Sequence, residues 1–168
     1  MKSRKLLIKT IALSTVSFGL LYTVSCKEKE NSLPKPVEIS FTKEGELMLY
    51  KKNTDSVVQT LAIEIATNDY EHQTGLMYRQ SMDTFQGMLF IFKDSKPRYF
   101  YMKNTYIPLD IIYLDKEKTI VSIQENAKPM SETTLPSNAN AMYVLEINAG
   151  LVEKWNLEVG DYIQYHAF

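Results

Sequence analysis

Apolar and polar positions along this chain recur mostly every second residue. From Val37 onward, Val37 to Thr42, Glu46 to Lys51 and Val57 to Ala66 are rich in β-branched and aromatic residues, with Leu61, Ile63 and Ile65 alternating against Ala62, Glu64 and Ala66. Such alternation marks half-buried strands. Gly45 and Asn53-Thr54-Asp55 supply turns between them. The next segment breaks the period. Asn68 can cap a short helix, Glu71 stands three residues on to complete a capping box, and Gly75 can end it. Strand patterning resumes at Met88 to Phe92, Arg98 to Asn104, Leu109 to Leu114, Thr119 to Ile123, Met142 to Asn148 and Tyr162 to Tyr165, with a second short helix over Leu151 to Trp155. No strand precedes a long amphipathic helix, so parallel βαβ winding is not expected. The pattern predicts a mainly β domain, an antiparallel sandwich or barrel with one or two short helices.

The first residues follow another rule. Lys2, Arg4, Lys5 and Lys9 precede an uncharged stretch from Thr10 to Val24, the layout of an export signal. That stretch is short and weakly apolar for a membrane-spanning helix, which needs roughly 20 mostly apolar residues. Thr23-Val24-Ser25-Cys26 resembles the lipobox of bacterial lipoproteins, with Thr23 where a leucine is usual, and the resemblance implies diacylglycerol on Cys26 after cleavage. A lone cysteine at the end of an export signal has no partner for a disulfide. Each buried methylene contributes about 0.8 kcal/mol of membrane affinity, so two or three acyl chains, palmitate among them, make a lasting anchor. Three regions follow: a signal peptide over 1–25, a charged, proline-punctuated tether over 26–36, and a single β domain over 37–168. The charged start of the tether resembles the export tag of surface lipoproteins, favouring the outer membrane or cell surface over the inner membrane. Removing the signal leaves 15 basic against 20 acidic residues. An acidic domain without a basic run is a poor nucleic-acid binder.

The chain has only His72 and His166 as histidines, and it carries no HExxH, GxSxG or glycine-rich phosphate loop. Neither metal nor cofactor is expected. Met77, Met82, Met88 and Met102 could make a thioether site for Cu(I), but methionines among Leu and Phe are better explained as core packing. One stretch is chemically unusual. Pro108 makes Asn104 to Asp110 a tight connection that brings Lys103, Asn104 and Asp110 toward one rim, and Asp110 interrupts the apolar run of Ile107, Leu109, Ile111 and Ile112. A half-buried carboxylate must be paired or hydrogen-bonded. Asp110 with Arg79 or Lys103 opposite and Asn104 alongside is then either the polar part of a ligand pocket or a set of acceptors for backbone N–H groups, the commoner fate of a buried polar side chain.

The succession GLMYR, GMLFIF, FYMKNTYIPLDIIYLD and LEINAG, closed by Val159-Gly160-Asp161, resembles a widespread prokaryotic family known as domain of unknown function one hundred and ninety-two. The match runs from about Thr60 to Tyr165. Its pattern falls on Gly75, Leu76, Met77 and Arg79, on Gly87, Met88 and Phe90, on Phe100 and Met102 to Thr105, on Pro108 to Asp110, and on Asn148 to Gly150, Gly160 and Asp161. The resemblance implies a compact jelly-roll β-sandwich and no particular activity. Tyr101 stands where the family usually has tryptophan, keeping a flat aromatic wall with different hydrogen bonding.

The leading expectation is a non-catalytic, lipid-anchored envelope module that binds a small molecule or envelope partner at Arg79, Tyr101, Lys103, Asn104 and Asp110. An envelope hydrolase with Asp110 as general base is the alternative, and a purely structural or assembly role is a third.

Overall fold

A computed structural model describes residues 39–168; the export signal, Cys26 and most of the tether lie outside the described residues. The strands are β1 (Gly45–Tyr50), β2 (Val57–Ala66), β3 (Gln86–Phe100), β4 (Leu109–Leu114), β5 (Ile120–Ala127), β6 (Leu135–Asn148) and β7 (Tyr162–Ala167). The helices are α1 (Asp69–Thr74) and α2 (Leu151–Lys154). The domain is mainly β, as the alternation predicts. Residues 39–44 are irregular, so the first expected strand is not formed over its described part. The two strands expected over 88–104 are one long strand. Lys93-Asp94-Ser95 stays in β3 because the pairing with β6 absorbs extra residues between Ile91 and Lys96. Arg98 braces that bulge, bonding the Asp94 side chain and backbone and donating its Nε–H to the Ala141 carbonyl.

The seven strands form a single sheet in the order β5-β4-β6-β3-β2-β1-β7. All pairs are antiparallel except β2 with β3, which run parallel across the connection that carries α1. The sheet curls until its two edges touch. Thr119 and Tyr162 form an antiparallel bridge, and the Ile120 N–H donates to the Asp161 carbonyl at 2.7 Å. Asp161 locks this seam: its inaccessible carboxylate accepts from Lys51 Nζ at 2.8 Å, Lys52 N at 3.1 Å and Glu158 N at 2.9 Å. Burial alone would raise its pKa, but the Lys51 ammonium and these N–H groups hold it below the ordinary aspartate range. The architecture is a half-barrel rather than two stacked sheets.

Side chains from all seven strands meet on the inner face, among them Leu47, Ile63, Leu89, Ile112, Ile120, Leu145 and Ile163, joined by Leu151 and Val152 of α2. Trp155 packs against this core. The outer face of β2, β3, β4 and β6 carries a second apolar layer, with Phe90, Ile111, Tyr113 and Val144 covered by Leu76 and Met102. Met88 and Met102 are buried here, and Met82 packs against them. The register places Glu64, Met88, Glu146 and Ile111 side by side across four neighbouring strands. Alternation puts all four on the outer face.

Candidate functional site

Asp110 is the second residue of β4 and, by the same alternation, points to the inner face with Ile112 and Leu114. It is inaccessible to solvent; one carboxylate oxygen accepts from Asn126 N at 2.8 Å and the other from Val152 N at 2.9 Å. It therefore holds the first turn of α2 from a neighbouring strand and steadies Asn126, whose backbone is left-handed at φ 53°. Asn104, itself at φ 56°, accepts from Tyr78 N at 2.8 Å through its carbonyl and donates its Nδ2–H to the Tyr78 hydroxyl at 2.9 Å. Lys103 is exposed, 3.6 Å from Glu132. Arg79 is buried and pairs with Glu64 at 2.5 Å, while its Nε–H has no partner among the described residues. The expected common rim is thus dispersed. Asp110 and Asn104 spend their polar atoms on local backbone and turn contacts, and Arg79 ties the turn after α1 to β2. Of the five, Arg79 lines a separate cavity, and Tyr101 alone lines the cavity beside α1.

That cavity, of about 350 Å³, lies between α1 with its following turn and the outer face of β3. Local sequence builds its roof. Asn68 accepts from Glu71 N at 3.0 Å while Glu71 reaches back to Asn68 N at 3.2 Å, the expected capping box. Gly75 then turns the chain at φ 45°, a conformation that disfavours a side chain. A Cβ there would stand 3.0 Å from the Phe90 ring and 3.8 Å from Glu146 Oε2, so glycine leaves the space open. The walls are aromatic: Phe90 and Phe100 meet edge-to-face at 5.1 Å, and His72 lies 4.3 Å from Phe92. His72 Nε2 sits 3.1 Å from the Ala66 carbonyl and 3.2 Å from that of Ile91. Both partners are acceptors, so Nε2 carries the proton. Arg98 stacks its guanidinium 3.9 Å from the Phe92 ring centre.

Glu146, near the C-terminal end of β6, completes the cavity and was not singled out from the sequence. It is 5% exposed, and no group among the described residues hydrogen-bonds to its carboxylate. Burial pushes its pKa up to about 8. Burial, with the nearby Glu146 carboxylate adding to it, also raises the Tyr113 phenol above its ordinary range. The sequence did hold a signal, because Glu146 interrupts the apolar run Met142 to Ile147 as Asp110 interrupts its own.

A raised carboxylate pKa has a defined consequence for stability. The folded chain keeps a proton that the unfolded chain gives up, so Glu146 favours folding below its ordinary pKa of 4.5 and loses this contribution as pH rises toward about 8. The slope is at most roughly 1.4 kcal/mol per pH unit within that window, damped by water entering the cavity. Glu146→Gln is expected to flatten the alkaline decline and to be more stable than the parent at pH 9. Urea titrations of both proteins between pH 5 and 9 would show this; parallel curves would refute it.

The fold and this site define a class of small, mainly β domain: a curled mixed sheet with an aromatic cavity and a buried acid on its outer face. The chain belongs to the DUF192 family, described as uncharacterised, whose sequence profile matches residues 50–165. A crystal structure from Sinorhizobium meliloti 1021, described as a candidate transcription regulator, is similar at 36% identity with a TM-score of 0.70, covering 76% of this chain and 97% of that one. A protein of unknown function from Novosphingobium aromaticivorans DSM 12444 is similar at 32% identity with a TM-score of 0.67, covering 71% and 83%. No curated protein matches the chain.

Proposed function

We propose that this chain is a lipid-anchored envelope protein whose β domain captures a small, largely apolar molecule in the cavity between α1 and β3. The cavity carries the reading: aromatic walls from Phe90, Phe92 and Phe100 surround one carboxylate without a partner among the described residues. Binding sites are commonly concave and mostly apolar, with a few polar groups that orient the ligand. The binding module is favoured over the hydrolase because Asp110, the residue that would act as base, is out of reach of any substrate and bonded to backbone through both oxygens. The anchor is supported by the uncharged segment ending at Cys26, and the outer membrane or surface by the charged tether. The regulator designation of the Sinorhizobium relative is not carried over, since 15 basic against 20 acidic residues beyond the signal offer phosphate backbones little attraction.

Both parts have direct tests. Cys26→Ser is expected to move the protein from the membrane to the soluble fraction; persistence in the membrane fraction would refute lipid anchoring. For binding, the full chain in detergent is titrated with benzyl alcohol while backbone amides are followed by NMR. Shifts confined to Gly75, Leu76, Phe100 and Tyr101 are expected. Their absence at millimolar probe would refute the cavity as a small-molecule site.

A further inference from the structure

We infer that the molecule held in this cavity carries a protonated amine and that Glu146 is its counter-ion. The inference rests on the cavity being the binding site and adds the chemical class of the ligand. The sheet itself supplies the comparison. Glu64 and Glu146 lie on the same face, in one row across the strands, separated by Met88. Both are buried. Glu64 has the Arg79 guanidinium bonded to it at 2.5 Å, whereas Glu146 has no such partner among the described residues and faces the cavity. A buried carboxylate gains most from an opposite charge that also donates hydrogen bonds. A ligand amine in the cavity would do for Glu146 what Arg79 does for Glu64.

The surroundings favour a cation of that kind. The rings of Phe90 and Phe100 in the cavity wall offer negative faces to an organic ammonium. The cations already at the cavity are committed elsewhere: Arg98 bonds the Asp94 carboxylate at 2.6 Å and lies over Phe92, and Lys96 pairs with Asp94 at 3.0 Å. Neither bonds Glu146. His72 has its Nε2–H between two carbonyls. Burial raises the phenol of Tyr113, beneath the cavity, so that it stays neutral near pH 7. Glu146 is thus the acid that an incoming amine meets. The raised pKa of Glu146 adds a signature: an ammonium that pairs with its carboxylate displaces the proton, so binding releases a proton and tightens as pH rises toward about 8.

Three probes of nearly one shape separate the possibilities: benzylamine, benzyl alcohol and benzoate, each titrated into the full chain in detergent at pH 8 by calorimetry and NMR. Benzylamine is expected to bind at least about tenfold more tightly than benzyl alcohol, with benzoate weakest, and to release a proton measurable as a dependence on buffer ionisation enthalpy. Glu146→Gln is expected to remove the preference and the proton release while the amide spectrum away from the cavity stays that of the parent, which reports an intact fold. Equal binding of benzylamine and benzyl alcohol, or a preference that survives Glu146→Gln, overturns the amine inference and leaves the cavity site standing. If none of the three perturbs the cavity amides, the binding site itself is refuted, and the inference with it.

Discussion

Replacing Asp110 by alanine is expected to cost about 2–4 kcal/mol, because it strands the buried Val152 N–H and the part-buried Asn126 N–H, and a buried unsatisfied donor costs roughly 1–3 kcal/mol. The donors are Asn126 N and Val152 N, at 2.8 and 2.9 Å from the carboxylate oxygens. Val152 belongs to the first turn of α2, and Asn126 to the strained bulge of β5, so two distant segments are held through one carboxylate. Asp110→Asn keeps one acceptor and turns an amide donor toward the other N–H, so an intermediate loss is expected. Urea denaturation should show a lower midpoint at unchanged slope. A loss below about 1 kcal/mol would mean that backbone or water can satisfy both donors, and Asp110 would then need another explanation.

The second large effect falls on the Arg79–Glu64 pair. Arg79→Met is expected to cost about 3–5 kcal/mol, since it leaves the Glu64 carboxylate buried without its charge partner. The pair as a whole is worth less than this. Desolvating two ions offsets much of their attraction, so the double variant Arg79→Met with Glu64→Leu should recover at least half of the loss. The Arg79 Nε–H, buried and without a partner among the described residues, already lowers the return from this pair. A double-mutant cycle on unfolding free energies measures the coupling directly. Strictly additive losses would show that the two side chains stabilise the fold independently.

Both predictions concern residues that the sequence marks as anomalous, Asp110 by its place in an apolar run and Arg79 by the GLMYR motif. Local features were legible where they depend on neighbours in the chain. The capping box of α1 needs only Asn68 and Glu71 three residues apart, and β2 and β4 have the bounds that their apolar patterns predict. The long arms of β3 and β6 were not legible. Their polar residues stay in the sheet because Arg98 ties Asp94 to Ala141, a contact 43 residues apart in the chain. The parallel pairing of β2 with β3 escaped the same way, since alternation fixes the faces of a strand but not the direction of its neighbour.

Glu146 and Asp110 show most sharply where sequence stops. Each is an acid inside an apolar strand, and the sequence by itself places a carboxylate among apolar neighbours, where it must find a partner or a proton. It also determines the mainly β class, the capped helix and the uncharged segment that ends at Cys26. Tertiary structure alone decides the fate of each acid, because that fate depends on which segment is laid over it. On the inner face α2 and the β5 bulge bring backbone N–H groups to Asp110. On the outer face the turn at Gly75 brings no donor to Glu146, only a side-chain-free surface, and leaves a cavity. One acid is thereby consumed in holding the fold, and the other is left for a ligand to meet.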